Sequence, residues 1–324
     1  MKSRMKFGLA VASIMLIASR ASLAAWPTDK PINYVVPFSP GGGTDIIARV
    51  VADKLGSILD TTVIVTNKPG AGGNIGTEYV ARSAPDGYTI GGASIATHSI
   101  NVSLYKNIGF DPKKDFTPIS LVGTTPNVLI VNPKTSYRSV KDLLEGIRAS
   151  EHPMAFASAG AGTSQHLSAE LFAQTEDVKL LHVPYKGAGP ALTAVMAGEV
   201  PFSFENLIVA SPQIKSGAVR ALAVTSSDRE AAFPDLPTMQ EAGVAGYDVV
   251  SWQAVFAPAG LDPEIRDHLN SAIQDIFKQP DVIERMAGLG VNIMASSPEQ
   301  LATFQDAELK KWATVIEKGN IKLD

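Results

Sequence analysis

The run Phe38-Ser39-Pro40-Gly41-Gly42-Gly43-Thr44-Asp45 follows an apolar stretch and precedes a helical pattern. Glycine permits close backbone approach. A helix start leaves unpaired N–H groups and a positive dipole end. Phe38, Ser39, Gly41, Gly42, Thr44 and Asp45 therefore frame a site for a small anion. The run is not a P-loop, because no Gly-Lys-Ser/Thr closes it. It is not a G-x-G-x-x-G turn either, because Ile46 stands where the third glycine belongs. Gly160-Ala161-Gly162-Thr163-Ser164 repeats the Gly-x-Gly-Thr-Asp/Ser pattern later in the chain, again between a strand and a helix. Ser158 precedes this copy and His166 follows it. Two helix N-termini facing one cleft would hold a dicarboxylate, or one carboxylate and a polar group. A pair of ordinary glycine turns is the alternative.

Other residues offer weaker chemistry. Asn67-Lys68-Pro69-Gly70-Ala71-Gly72-Gly73-Asn74-Ile75-Gly76 brings backbone close either to a cleft or to a packed helix. Ser94, Thr97 and His98 follow a strand at its carboxyl end, where open α/β sheets take ligands. Lys186 offers a cation that would offset a carboxylate; a solvated lysine is the alternative. Glu205-Asn206 ends another strand. Glu205 would repel an anion unless it accepts a hydroxyl or amine, or sits just outside the cleft. Trp252 and Phe38 would sandwich a ring or an aliphatic chain; core packing is the alternative. The five histidines lack zinc spacing, and no G-x-S-x-G elbow is present. His98 and His166 read as hydrogen-bond donors or core residues, and no catalytic set is expected. No metal or other cofactor is expected.

These residues must be carried by an alternating framework. Apolar runs predict strands over 32–36, 63–65, 89–92, 121–122 and 128–131. A second set covers 154–157, 180–183, 201–204, 221–225 and 249–256. Helical spacing falls between them, as in Ile47, Val50, Val51 and Leu55, and at 75–82, 139–150, 164–175 and 190–197. Further helices cover 265–276 and 298–318, the last with proline at its start. The alternation predicts an α/β fold with mainly parallel sheets and helices on both faces. Crossings are expected near 124–127 and 246–251. They divide the chain into a discontinuous domain 1 (25–125 plus 250–324) and domain 2 (126–249). Two crossings make a hinge.

Length and charge bound the function. The chain has 324 residues, no cysteine and a net charge of −4. Two domains fit that length. Missing cysteine excludes disulfides, thiolate metal sites and cysteine nucleophiles. No basic stripe is visible, so nucleic acid is not an expected partner. Lys2, Arg4 and Lys6 precede an uncharged low-polarity run, and Ser22-Leu23-Ala24 offers small residues for cleavage. Residues 1–24 therefore read as a signal peptide cleaved near Ala24 or Ala25. Its removal takes away four basic residues and no acid, so −4 becomes −8. The expected location is the periplasm, and the expected state is a monomer.

Several stretches together resemble the extracytoplasmic solute receptors of tripartite tricarboxylate transporters, the Bug family. They include Trp26-Pro27, Val36-Pro37 running into the first glycine loop, Asn67–Gly73, Pro85-Asp86-Gly87-Tyr88-Thr89 and His98. Later come Asp115-Phe116-Thr117-Pro118-Ile119, residues 160–167 and 183–187, Pro237-Thr238, and Trp252 before Ala257-Pro258-Ala259-Gly260. The resemblance implies a two-lobed, type II-like periplasmic binding protein. It implies that backbone N–H groups and ordered water at 38–45 and 158–166 grip one carboxylate. It also implies delivery to a permease of one large and one small subunit. Two departures stand out: Glu205 where aspartate is frequent, and Gln253-Ala254 where glycine is common. An exported enzyme acting on a carboxylate, or a sensor feeding a membrane signalling protein, are the alternatives.

Overall fold

The computed structural model describes residues 26–322, so the leader read over 1–24 lies outside the described residues. β1 (Ile32–Val36) lies parallel between β2 (Val63–Asn67) and β3 (Thr89–Ser94). A strand flanked on both edges and covered on both faces needs apolar residues throughout. Ile32, Tyr34, Val35 and Val36 are accordingly buried, and only Asn33 is partly exposed. α1 (Gly43–Ile58) and α2 (Asn74–Ala81) make the crossovers. Ile47, Val50, Val51 and Leu55 form the buried stripe of α1.

After β3 a π-helical turn, Ala96–Ile100, runs into the short α3 (Asn101–Leu104). The chain then enters β4 (Phe116–Val131), one strand of 16 residues where the sequence pattern suggests two. Pro118 and Pro126 interrupt the pattern without ending the strand. Proline removes a ladder donor, and register shifts beside Pro118 and at Leu121/Gly123 absorb the irregularity.

The second half repeats the plan. α4 (Val140–Ala149) starts at Ser139, whose hydroxyl accepts the Asp142 N–H. β5 (Met154–Ser158), α5 (Ser164–Thr175), β6 (Leu180–Pro184), α6 (Ala188–Ala197) and β7 (Phe202–Asn206) follow. β5 lies parallel between β6 and β7. α7 (Leu207–Lys215), which the periodicity does not reveal, leads to β8 (Arg220–Val224). β9 (Val250–Pro258), α8 (Pro263–Ile276), α9 (Pro280–Gly288), β10 (Asn292–Ile293) and α10 (Pro298–Gly319) complete the chain. α10 opens with a full capping box between Ser297 and Gln300.

The strands join one sheet in the order β2-β1-β3-β9-β4-β7-β5-β6, with β8 and β10 also on β4. Both ends are parallel βαβ units. β4 and β9 run antiparallel to their neighbours, so the sheet is mixed rather than mainly parallel. The reason is topological: the strands that carry the chain between halves return beside each other. β4 serves both halves, pairing with β9 up to Pro126 and with β7 and β8 from Asn127 or Val128 onward. Thr225 ties the crossings together. Its hydroxyl donates to Val249 O (2.6 Å) and accepts the Asn127 N–H (2.8 Å). Its backbone N–H donates to Asn127 O, and Val249 N–H donates to Thr225 O. The core forms two layers, one on each sheet face. α1, α6, α7 and α8 cover one face, and α4, α5 and α10 the other.

Candidate functional site

A narrow cleft lies between the halves. Phe38, Gly42, Gly43, Thr44, Ser94, Ile95, Ala96, Ser251 and Gln253 line it from the first half. Ala159, Thr163, Ser164, Gln165, Ala188 and Asn206 line it from the second. None of these side chains carries a charge. Four helices start at this cleft. α1 has Gly42 as N-cap, α6 has Gly187 and α7 has Asn206, none with a side-chain cap bond. α5 has Thr163, whose hydroxyl accepts the His166 N–H. First-turn N–H groups have no intrahelical acceptor, so uncapped starts gathered around one space make a positive, donor-rich wall without a cation.

The polar floor is built by strand register. Ser94 on β3 faces Gln253 on β9 as a paired position. Thr44 Oγ1 donates to Gln253 Oε1 at 2.7 Å, which fixes the amide and leaves its NH₂ end beside Gly43. Ser94 Oγ is buried and has no partner among the described residues. Asn206 donates to Asn127 Oδ1, and Asn127 donates to Ser168 Oγ at 2.9 Å.

Seven sequence candidates, Phe38, Gly42, Thr44, Ser94, Thr163, Ser164 and Asn206, meet at the cleft. The others stand elsewhere. Asp45 is buried at the start of α1 and accepts from Gly41 N–H, Arg49 and the Asn67 amide. Burial alone would raise its carboxyl; the bonds from Arg49, Gly41 and Asn67 outweigh that and hold it below the ordinary value. Asp45 and Gly41 thus brace the loop. Ser39 Oγ donates across the cleft mouth to Lys186 O, and the Lys186 side chain is exposed. Ser158 Oγ bonds His182 Nε2 at 2.6 Å and accepts the Gly160 N–H, closing the second glycine turn.

The aromatic candidates belong to the core. His98 stacks on Phe256 with ring centroids 4.4 Å apart, and Thr97 Oγ1 meets its Nδ1 at 2.9 Å. Burial pushes His98 down to about 3, so it is neutral. His166 stacks on His182 at 4.0 Å and accepts the Gly162 N–H at Nδ1. Burial, then the neighbouring His182, lowers it to about 3. Trp252 is fully buried and donates to Glu308 Oε2 at 2.9 Å on α10. It packs with Phe304 rather than sandwiching anything with Phe38.

Glu205 sits just behind the wall. Its Oε1 accepts from Gln165 Nε2 (3.0 Å) and from Asn206 N–H (2.8 Å). The sequence candidates omit Gly43, Ala159, Gln165, Ala188, Ser251, Gln253 and the 95–96 pair as wall residues. The Gln253-Ala254 departure was the one signal that singled out Gln253. The third glycine loop closes the cleft instead of lining it. A Cβ at Gly72 would lie 2.5 Å from Ala161 O on the opposite half. Beside it, Tyr105 OH donates to Ala161 O at 2.9 Å.

Two α/β halves joined by paired crossing strands, with helix starts around the cleft between them, define the fold of a periplasmic binding protein. The sequence matches the family described as "Tripartite tricarboxylate transporter family receptor" over residues 47–321. Protein BugT of Bordetella pertussis is 39% identical over 308 residues, which cover 95% of this chain and 94% of that protein. The structure of R. palustris Rpa4515 with adipate is similar at a TM-score of 0.89 and 33% identity, covering 92% of this chain and 99% of that one. MatC (Rpa3494) from Rhodopseudomonas palustris with bound malate gives a TM-score of 0.86 and 31% identity, covering 90% and 100%. The chain belongs to the tripartite tricarboxylate transporter receptor family.

Proposed function

We propose that this chain captures a small carboxylate in the cleft by hinge closure and delivers it to a two-subunit membrane permease of the tripartite tricarboxylate type. The observation that carries the reading is the meeting of four helix starts around a cleft lined by uncharged side chains. Such a wall attracts an anion through N–H groups and dipole ends, so the acidic overall charge is no obstacle. The similar proteins holding adipate and malate support the ligand class. The hinge runs through 124–127 and 249–251, where Thr225 links the strands. The protein works in the periplasm as a monomer after losing its leader, and it performs no catalysis.

Closure follows from differential affinity: a ligand touching both halves stabilises the closed form alone. The test is a thermal-unfolding screen with adipate, malate, citrate and benzoate, beside glucose and spermidine. At about a hundred times Kd, a true ligand stabilises by about 2.7 kcal/mol. At least one carboxylate should raise the midpoint while glucose and spermidine leave it unmoved. A response to glucose or spermidine and to no carboxylate would contradict the reading.

A further inference from the structure

Glu205 is a fully buried carboxyl with no cationic partner. Among the described residues no ion pair includes it. Its Oε2 has no hydrogen-bond partner, while its Oε1 takes the Gln165 amide and the Asn206 N–H. Gln165 and Asn206 both line the cleft. A buried, unpaired carboxylate therefore stands one residue behind the wall that would receive an anion. Two negative charges in one water-poor place cannot both persist without compensation.

Among the described residues no cation acts on it: burial and the Gln165 and Asn206 bonds are its influences. β4, β5 and α6 contribute no ionisable side chain. α5 brings His166, held neutral by burial, and Glu170 one turn further. β6 brings His182, stacked on His166. Lys215 lies at the far end of α7, where it donates to Gly288 O. Arg220 starts β8 and donates to Tyr137 and Pro133 carbonyls. Across the cleft, Asp45 and Arg49 pair with each other. A proton is the remaining way to neutralise Glu205.

We propose that Glu205 makes ligand capture proton-linked: a carboxylate entering the cleft drives proton uptake at Glu205, which then holds Gln165 and Asn206 as a neutral acid. The inference rests on the carboxylate reading above. Burial already lifts this group to about 7. A ligand anion lifts it further, because like charges oppose ionisation. Below the ligand-free value Glu205 carries its proton in both states, and affinity is flat. Above it, binding must draw in a proton, and affinity falls as pH rises. Ligands that bring no negative charge to this end of the cleft escape the penalty. Glu205 is thus a positioning residue that also selects for charge.

The experiment is calorimetric titration of adipate and malate in buffers of different ionisation enthalpy, between about pH 6 and 9, above the ordinary carboxylate range. Wild type should take up protons on binding above about pH 7, with affinity falling by at most about tenfold per pH unit. Glu205→Gln keeps the shape and an acceptor oxygen but cannot ionise. It should bind at about pH 8.5 as tightly as wild type does near pH 6, with no proton uptake. If the variant fails to fold, wild-type proton uptake decides alone. Binding without proton uptake and with flat affinity overturns the inference and leaves carboxylate capture standing. No binding of any carboxylate by wild type at any pH overturns capture, and this inference with it.

Discussion

Gly162 shows how tightly single residues control the cleft. It adopts φ +80°, and a Cβ there would lie 2.2 Å from Asn101 Oδ1 on the opposite half. Opening the cleft removes that clash; closing it does not. Gly162→Ala should fold with a penalty of about 1–2 kcal/mol for the left-handed backbone. It should lose at least about tenfold in carboxylate affinity, equivalent to about 1.4 kcal/mol. Gly243→Ala is the control, because it has the same left-handed backbone (φ +101°), its Cβ would meet nothing within 4 Å, and it does not line the cleft. Equal affinity in Gly162→Ala and wild type would show that closure does not press these residues together. His98 supports a second prediction. In the unfolded chain it ionises near 6.5, but in the core it is held at about 3. The unfolded state therefore binds a proton that the native state refuses, and stability is lost as pH falls from 6.5 towards 3. His98→Phe, placed among Phe110, Phe116 and Phe256, should flatten acid unfolding across that window. An unchanged acid limb in denaturant melts would remove His98 as its cause.

At the scale of elements, legibility followed local geometry. The glycine loops before α1 and α5 were visible because helix starts and tight turns demand particular residues at adjacent positions. Ser94 was visible from its place at a strand end. Gln253 became a wall residue only because β9 pairs with β3 in a register that sets it opposite Ser94. No local pattern encodes that pairing. α7 was hidden because its first turn, Leu207 to Ala210, is buried and has no polar face to give a helical period. Trp252 and His98 misled in the opposite direction. Their chemistry suits a pocket, but their side chains point to the face covered by α10 and by the phenylalanines. The start of α5 yields an element-scale prediction. Thr163 is its cap, accepting the His166 N–H and donating to Gly160 O at 2.7 Å. Thr163→Ala should destabilise by about 1 kcal/mol in urea melts. A loss indistinguishable from zero would mean that the turn is held by Ser158 and the glycines alone.

The whole molecule unites two halves through one sheet, and this part of the sequence expectation needed most revision. The parallel units at both ends were legible from strand–helix alternation. The antiparallel centre was not, because one long strand read as two, 121–122 and 128–131, with Pro126 between them. At that centre the crossings are tied together: Asn127, Thr225 and Val249 are joined by hydrogen bonds. The proposed closure of the halves would bring helix starts, and not cations, onto a carboxylate. A crystal structure with the carboxylate that stabilises the protein most tests it directly. Carboxylate oxygens should lie within hydrogen-bond reach of first-turn N–H groups of α1 and α5, directly or through one water. A carboxylate paired with a lysine or arginine side chain, or seated outside the cleft, would contradict it.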